Sequence, residues 1–243
     1  MKHPGARRGT ERLVRLCAEL GVQLKDTEAN VLLRYLELVL DANRRVNLTR
    51  IDDYDDAVRL HLADSLVALP EVSAAPPGWL VDIGTGAGFP GVPLGVVTCR
   101  PTWVLDSTAK KVRAVQGILA EMELGARICA RSGRAEEFSQ SHPAEFVVVT
   151  ARAVSTLPAI VELASPLLAV GGRLVALKGS PTEDELHSGR LAGEAVGMEQ
   201  ISCRQIELPE GGEARTIVSY LKARSSAISL PRRTGTAQRS PLA

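Results

Sequence analysis

The sequence from residue 80 to residue 91 decides the fold, and it reads Leu80-Val81-Asp82-Ile83-Gly84-Thr85-Gly86-Ala87-Gly88-Phe89-Pro90-Gly91. Its first four residues are apolar apart from Asp82, which is typical of a buried parallel strand. Three glycines follow at alternate positions, and the apolar residues from Pro93 onward predict a helix. A strand that turns through glycines into a helix brings bare backbone close to a ligand at the helix N-terminus. We therefore expect a ligand site at the carboxyl edge of an α/β sheet.

The spacing of the glycines indicates which ligand fits. The dinucleotide fingerprint G-x-G-x-x-G needs a third glycine three residues after the second, and here that position is Phe89. A bulky side chain there obstructs a pyrophosphate, so a Rossmann dehydrogenase is the weakest interpretation. S-adenosylmethionine has no pyrophosphate, and the pattern of Asp82, Gly84, Gly86 and Gly88 resembles motif I of the class I methyltransferases. The alternative is a glycine-rich turn without a ligand, although a plain turn needs only one or two glycines.

A carboxylate follows at a suitable distance for binding a ribose. Residues 101–106 predict a second strand that ends in Asp106, 22 residues after Gly84. An acid about 20 residues beyond the glycines can accept hydrogen bonds from ribose hydroxyls. Asp106 and Ser107 also suit the N-cap of the next helix, and the two roles are compatible.

Composition limits the class of protein. The 243 residues suffice for one large α/β domain, or for one domain with a helical extension. No run approaches the roughly 18 apolar residues of a membrane span, and no signal peptide is visible, so we expect a cytoplasmic protein without membrane contact. The four cysteines show no C-x-x-C pair and the four histidines are dispersed, which predicts reduced thiols and no metal site.

Charge is concentrated at the two ends of the chain. Residues 1–15 carry a balance of +4 and residues 222–243 a balance of +5, so the remainder carries −8 within a net charge of +1. Basic termini on an acidic body are typical of tails that contact a polyanion, although solvated termini explain the pattern equally well.

Hydrophobic periodicity divides the chain into four parts. We expect a disordered basic segment over residues 1–9, a helical extension over 10–77, a catalytic domain over 78–224 and a disordered basic tail over 225–243. Within the catalytic domain the pattern predicts strands near residues 79–83, 102–106, 126–130, 145–150, 172–177, 201–208 and 215–221, with helices near 90–98, 109–123, 157–168 and 182–194.

Alternating strands and helices predict a mainly parallel sheet with helices on both faces. The last two predicted strands have only a turn between them, so we expect them to form an antiparallel pair. The predicted fold is therefore α/β: a Rossmann-like seven-stranded sheet with a C-terminal antiparallel hairpin, as in class I S-adenosylmethionine-dependent methyltransferases, plus an N-terminal helical extension.

Six short blocks occur in the order found in one bacterial family: Asn47-Leu48-Thr49, His61-Leu62-Ala63-Asp64-Ser65-Leu66, residues 82–91, Asp106-Ser107, Ala151-Arg152-Ala153 and Ala176-Leu177-Lys178-Gly179. The chain, over roughly residues 28–222, thereby resembles the 16S ribosomal RNA guanine-N7 methyltransferases, also called small-subunit methyltransferase G or glucose-inhibited division protein B. The combined blocks are far more specific than the glycine loop alone, which any class I methyltransferase could carry.

The glycine motif and the resemblance together imply two sets of functional residues. For the cofactor, S-adenosylmethionine, the expected residues are Asp82, Gly84, Gly86, Gly88, Phe89, Asp106, Ser107, Thr108, Ala135, Glu136 and Arg152. For the substrate the candidates are Asn47, His61, Asp64, Arg152 and Lys178.

Structural roles remain open for several of these residues. Phe89 could belong to the core and Glu136 to a solvated helix start. Asn47 could cap a helix, His61 could be an ordinary helix residue, and Lys178 could be solvated.

The resemblance implies methyl transfer to N7 of a guanine in the 530-loop of 16S rRNA, guanine 527 in that family. The expected partner is 16S rRNA or the 30S subunit, and we expect a monomer. Guanine N7 carries a lone pair and no proton, so no general base is needed and no acid–base residue is assigned. Two alternatives are a class I methyltransferase acting on a small molecule or protein, and a non-catalytic adenosylmethionine-binding factor for ribosome assembly.

Overall fold

The computed structural model describes residues 4–243, which form a seven-stranded sheet with helices on both faces. The strands are β1 (Leu80–Ile83), β2 (Thr102–Asp106), β3 (Ile128–Ser132), β4 (Phe146–Arg152), β5 (Leu168–Lys178), β6 (Met198–Glu207) and β7 (Ala214–Lys222). Their order across the sheet is β3-β2-β1-β4-β5-β7-β6. Pairing is parallel from β3 to β5, whereas β7 pairs antiparallel with both β5 and β6.

The helices of the sheet domain alternate with the strands. They are α6 (Gly91–Thr98), α7 (Ala109–Glu121), α8 (Ala135–Ser141), α9 (Leu157–Ala164), α10 (Glu183–Val196) and, after the last strand, α11 (Thr236–Arg239). The sequence did not predict α8, a helix of only two turns. The helix predicted near residues 157–168 ends earlier, because a 3-10 turn (Ser165–Leu167) leads directly into β5.

The N-terminal part is helical, as its periodicity indicates. It contains α1 (Pro4–Glu19), α2 (Asp26–Val46), α3 (Tyr54–Ala57), a π-helical stretch (Val58–Ala63), α4 (Asp64–Leu66) and α5 (Leu69–Ser73). The N-cap of α2 is Lys25, whose backbone N–H donates to the Glu28 side chain at 3.0 Å.

These helices share one hydrophobic core with the sheet domain. A single buried cluster joins residues of α1 and α2, such as Leu16 and Leu36, to Phe89 in the glycine loop and to Val104 in β2. The hydroxyl of Tyr35 in α2 is fully buried and donates to the Ala87 carbonyl at 2.8 Å. The helical part thus supports the loop that the sequence identified as the ligand site.

The ends of the chain differ from the disorder that was predicted for them. Residues 1–3 lie outside the described residues, and α1 begins at Pro4, within the segment predicted as disordered. Residues 225–243 pack against the sheet domain, because Arg232 pairs with Glu162 of α9 and Ala237 is only 2% exposed. Specific contacts therefore compensate for the low content of large apolar residues in this segment.

Part of the positive charge at the two ends is neutralised within the molecule. Arg12 pairs with Asp55 and Glu210, and Arg15 also pairs with Glu210.

No helix among residues 4–243 is long and apolar enough to cross a membrane.

Candidate cofactor and acceptor site

The buried carboxylate of Asp82 fixes the glycine loop through hydrogen bonds. Its Oδ2 accepts hydrogen bonds from the Thr85 hydroxyl at 2.6 Å and from the Gly91 backbone at 3.0 Å. Its Oδ1 accepts from the Thr150 hydroxyl of β4 at 2.8 Å. Asp82 is fully buried, so the structure places it beneath the loop as a positioning residue and not on its open face.

Burial raises the pKa of Asp82 to about 6, because the charged carboxylate loses its solvation. The hydrogen bonds from Thr85, Thr150 and Gly91, together with the charge of Arg152, act in the opposite direction and keep the rise moderate. The carboxylate is therefore ionised at neutral pH, and its ionisation lowers the free energy of unfolding.

The three alternate glycines have different physical roles. A Cβ at Gly84 would lie 2.5 Å from Val154 Cγ2, and one at Gly88 would lie 2.1 Å from the Tyr35 hydroxyl. Packing therefore requires glycine at both positions. Gly86 has a φ of +59°, and a Cβ there would meet nothing within 4 Å. Only Gly86 opens its bare backbone to free space, where a ligand could approach.

Asp106 at the end of β2 joins the glycine loop to the start of α7. Its Oδ2 accepts from the Gly86 N–H at 2.9 Å, and its Oδ1 accepts from the Thr108 N–H at 2.8 Å. Thr108 is the N-cap residue of α7, and Ser107 lines the cavity beside it. Each Asp106 oxygen can accept a further hydrogen bond, so a ribose hydroxyl remains a suitable donor.

A cavity of about 80 Å³ lies at the carboxyl ends of β1, β2 and β3. Its lining includes five of the eleven predicted cofactor-side residues, and it comprises Ile83, Gly84, Leu105, Asp106, Ser107, Gly133, Arg134, Ala135, Glu136, Val154, Leu163 and Gln238. The Glu136 side chain is buried, and its Oε2 has no hydrogen-bond partner. An orphaned buried acceptor beside a cavity is available to accept a hydrogen bond from a ligand.

A second hollow, of about 360 Å³, lies beside the carboxyl ends of β4 and β5. It is lined by Ile51, Leu60, His61, Asp64, Arg152, Ala153, Leu177, Lys178, Gly179 and Arg215. Four of the five substrate-side candidates therefore meet here. We call this hollow the acceptor pocket.

Asp64 organises the cations of the acceptor pocket. Its Oδ2 accepts from Arg152 Nη1 at 2.9 Å, and its Oδ1 accepts from Arg215 Nε at 2.7 Å. The Asp64 side chain is only 4% exposed, so the two arginines compensate a buried charge. Because one carboxylate faces two guanidinium groups, the group carries one net positive charge.

His61 and Phe89 connect the acceptor pocket to the glycine loop. Their rings are stacked with centroids 4.6 Å apart, and Arg152 lies 5.9 Å from the Phe89 centroid. Phe89 is 4% exposed and packs in the hydrophobic core. Its contacts therefore support core packing, the structural alternative to a contact with the cofactor. Burial and the Arg152 charge lower the pKa of His61 to about 3, so its ring is neutral at physiological pH.

The remaining predicted positions hold structural contacts. Asn47 is the left-handed C-cap of α2, with a φ of +54°, and it lines a separate hollow with Tyr54 and Asp52. Lys178 lines the acceptor pocket, but its Nζ donates to the Ser155 carbonyl and pairs with Glu185, both at 2.8 Å. The structure thus separates Asn47 from the other substrate-side candidates and anchors Lys178.

Arg215 lines the acceptor pocket and Gln238 lines the cofactor cavity, and both are absent from the sequence-based set. Arg215 is the second residue of β7, and because this strand runs antiparallel to β5, its first residues lie beside Lys178 at the carboxyl edge. The predicted hairpin contained this signal. Gln238 belongs to the C-terminal segment, and no pattern in the sequence pointed to its place beside Glu136.

A hollow of about 1000 Å³ lies at the opposite edge of the sheet. Its lining includes Gly78 and Pro101, which precede β1 and β2. Ligands of open α/β sheets bind at the carboxyl ends of strands, so we do not assign the cofactor to it. Among residues 4–243, no cluster of three or more His, Cys, Asp or Glu side chains is arranged to hold a metal ion.

The sheet order and the glycine loop define a protein of the class I S-adenosylmethionine-dependent methyltransferase fold, and solved structures agree. Geranyl diphosphate C-methyltransferase from Streptomyces coelicolor A3(2) superimposes with a TM-score of 0.56 at 14% identity, covering 70% of this chain and 78% of that one. Precorrin-6y C5,15-methyltransferase from Geobacter metallireducens GS-15 does so with a TM-score of 0.50 at 16% identity, covering 65% and 87%. The predicted fold class is confirmed.

The chain belongs to the GidB family, described as rRNA small subunit methyltransferase G, whose pattern matches residues 28–211. The ribosomal RNA small subunit methyltransferase G of Deinococcus radiodurans is 39% identical over 239 residues, covering 96% of this chain and 93% of that protein. That of Symbiobacterium thermophilum is 35% identical over 235 residues, covering 93% and 94%. The family suggested by the six sequence blocks is confirmed.

The buried Asp82 predicts a pH-dependent contribution to stability. The pKa of Asp82 is about 6 in the native state and 3.8 as its ordinary value, so the native state loses stability from this group as pH rises from about 4 to about 6. Asp82→Asn removes this loss. Relative to wild type, the variant should gain up to about 3 kcal/mol across that interval and no more above it.

Urea unfolding at a series of pH values measures this difference. Asp52→Asn, which changes an exposed carboxyl group, is the matched control and should show no comparable trend. A difference between Asp82→Asn and wild type that stays constant from pH 4 to pH 7 would contradict the prediction.

Gly86→Val should abolish binding of S-adenosylhomocysteine while the fold persists. The valine side chain would enter the open space above the loop, and a β-branched residue with positive φ adds strain of about 1–2 kcal/mol. Gly117→Val, at an exposed position of α7 where a Cβ also meets nothing, is the control. Calorimetric titration of both folded variants decides, and an unaltered affinity in Gly86→Val would refute the role of this backbone.

Proposed function

We propose that this protein transfers the methyl group of S-adenosylmethionine to N7 of a guanine in the 530-loop of 16S rRNA, guanine 527 in the family. Family membership supports the rRNA methyltransferase activity. The finer assignment to N7 is supported most by the state of His61, which lines the acceptor pocket and whose pKa burial lowers to about 3.

The carboxyl ends of β1 to β3 fit the cofactor. The open backbone of Gly86, the Asp106 carboxylate and the unpartnered Glu136 Oε2 suit the three parts of the molecule, the methionine tail, the ribose and the adenine. When bound, S-adenosylmethionine supplies an electrophilic methyl group. Asp82 keeps the loop rigid through its three hydrogen bonds, so these groups are oriented before the ligand arrives.

The acceptor pocket suits a nucleobase whose reacting atom carries no proton. Guanine N7 has a free lone pair and carries no proton, so its methylation requires no general base in the pocket. His61 stays neutral, accepts from Arg152 and lies against Phe89, which makes it a positioning residue for the pocket wall. Catalysis then depends on orientation and on the electrostatic field of the pocket, and not on acid–base chemistry.

The cations of the acceptor pocket fit an RNA backbone. Arg152 and Arg215 carry one net positive charge after pairing with Asp64, and guanidinium groups bind phosphate well. Exposed Arg44, Arg45 and Lys110 lie near the same edge, where α2 ends and α7 begins, and the Lys110 ammonium donates to the Arg45 carbonyl at 3.3 Å. These residues would position RNA without reading its sequence.

The proposed setting is the cytoplasm, with the protein acting as a monomer on 16S rRNA or on the 30S subunit.

The deciding experiment offers both substrates, prepared from cells that lack this gene, together with radiolabelled S-adenosylmethionine, and maps the modified base. Label at N7 of one guanine in the 530-loop is expected. Label on another atom or base would overturn the N7 assignment, and no label on any RNA while S-adenosylhomocysteine still binds would overturn the rRNA activity.

Arg215→Gln should weaken RNA binding and reduce the slope of log affinity against log salt concentration by about one. The affinity for S-adenosylhomocysteine should not change, because Arg215 lines the acceptor pocket and not the cofactor cavity. Asp64 keeps Arg152 as its partner in this variant.

Arg34→Gln is the matched control. Arg34 pairs with Glu121 at the end of α7, which lies at the edge of the sheet opposite the site. Filter binding or fluorescence anisotropy over a range of salt concentrations gives the slopes. Equal slopes for Arg215→Gln and wild type would contradict the phosphate contact.

A further inference from the structure

The C-terminal segment, residues 225–243, lies outside the matched family region of residues 28–211 and packs across the cofactor cavity. Arg232 binds both oxygens of Glu162, with Nε–Oε1 at 2.7 Å and Nη2–Oε2 at 2.5 Å, and Nη2 also donates to the Ser240 carbonyl. Glu162 is 3% exposed, so this ion pair anchors the segment to the buried side of α9.

A second anchor connects the segment directly to the cavity wall. The Gly235 N–H donates to Glu136 Oε1 at 2.7 Å, and Ala237, which follows in α11, is buried. These contacts bring the next residue, Gln238, into the lining of the cavity opposite the ends of the strands. The segment thus supplies one wall of the site.

The cavity contains two buried acceptors without partners. Glu136 Oε2 and Gln238 Oε1 are both inaccessible to solvent, and neither accepts a hydrogen bond from any described residue. Leaving a buried acceptor unsatisfied destabilises the native state, and the cost is larger for a charged group. Because Glu136 and Gln238 line the same small cavity, the two acceptors fit a ligand that carries two hydrogen-bond donors.

We propose that Gln238 is a specificity-determining residue of the cofactor site, where its Oε1 and Glu136 Oε2 accept the two N–H bonds of the adenine amino group. This inference rests on the cofactor site of the proposed function. An exocyclic amino group carries two donors on one nitrogen, which matches the two acceptors. Sites built to hydrogen-bond a substrate group discriminate strongly against analogues that lack it, because their own polar atoms are left unpaired.

The test compares S-adenosylhomocysteine with S-inosylhomocysteine, in which an oxygen replaces the adenine amino group. Calorimetric titration of the full-length protein gives both dissociation constants. Wild type should bind the inosyl ligand much more weakly. Gln238→Met keeps the length of the side chain and removes its amide, so its affinity for S-adenosylhomocysteine should fall about three- to tenfold and its discrimination should shrink by a similar factor.

Gln140→Met is the matched control, because Gln140 is exposed on α8, the same helix that carries Glu136. It should leave both dissociation constants unchanged. The NMR signals of the Gln238 side-chain amide provide a second measurement, on the wild-type protein, that does not depend on the folding of a variant. They should shift when S-adenosylhomocysteine is added.

The outcomes separate the two proposals. If wild type does not bind S-adenosylhomocysteine, the cofactor assignment of the proposed function fails. If wild type binds and discriminates, but Gln238→Met discriminates equally well, the role of Gln238 is overturned. Unshifted Gln238 amide signals at saturating ligand would overturn it as well, and would leave water as the partner of the two acceptors.

Discussion

The buried carboxylate of Asp82 is the interaction on which the site depends. It connects β1, β4, the glycine loop and the first turn of α6 through three hydrogen bonds. A charge in a fully buried place is costly, and burial accordingly raises its pKa. The cost is tolerated because the same three bonds fix a loop that contains three residues with positive φ, and such a loop would otherwise be mobile.

The second constraint is that the helical part and the sheet part complete each other. Tyr35 of α2 closes on the loop at Ala87 and fills the space that the absence of a side chain at Gly88 leaves free. His61 stacks on Phe89, so the wall of the acceptor pocket packs directly against the residue that follows Gly88. The three hydrogen bonds of Asp82 that fix the loop therefore also hold the pocket wall that packs against it.

Much of the fold was predictable, because strand periodicity, the glycine spacing and the final hairpin are local signals. All seven predicted strands occur, although β5 begins four residues earlier than expected. The site was less accessible to sequence reasoning. The pattern identified Asp82 but could not distinguish a ligand contact from a buried support, since only burial separates these roles. Gln238 could not be predicted, because a contact formed by a polar tail leaves no periodic trace in the sequence.

The π-helical stretch at Val58–Ala63 has a consequence for the length of the chain. The Asp64 N–H donates to the Arg59 carbonyl five residues back, so this turn contains one residue more than a regular α-helical turn. The wide turn accommodates the additional residue, so the segments before and after it keep the faces that a regular helix would give them. His61 stacks on Phe89 from within this turn, and Asp64 faces Arg152 and Arg215 directly after it. One residue added to a regular α-helical turn would rotate everything beyond it by about 100°, so the wide turn is the place where the length of the chain can differ by one residue while the acceptor wall keeps its orientation.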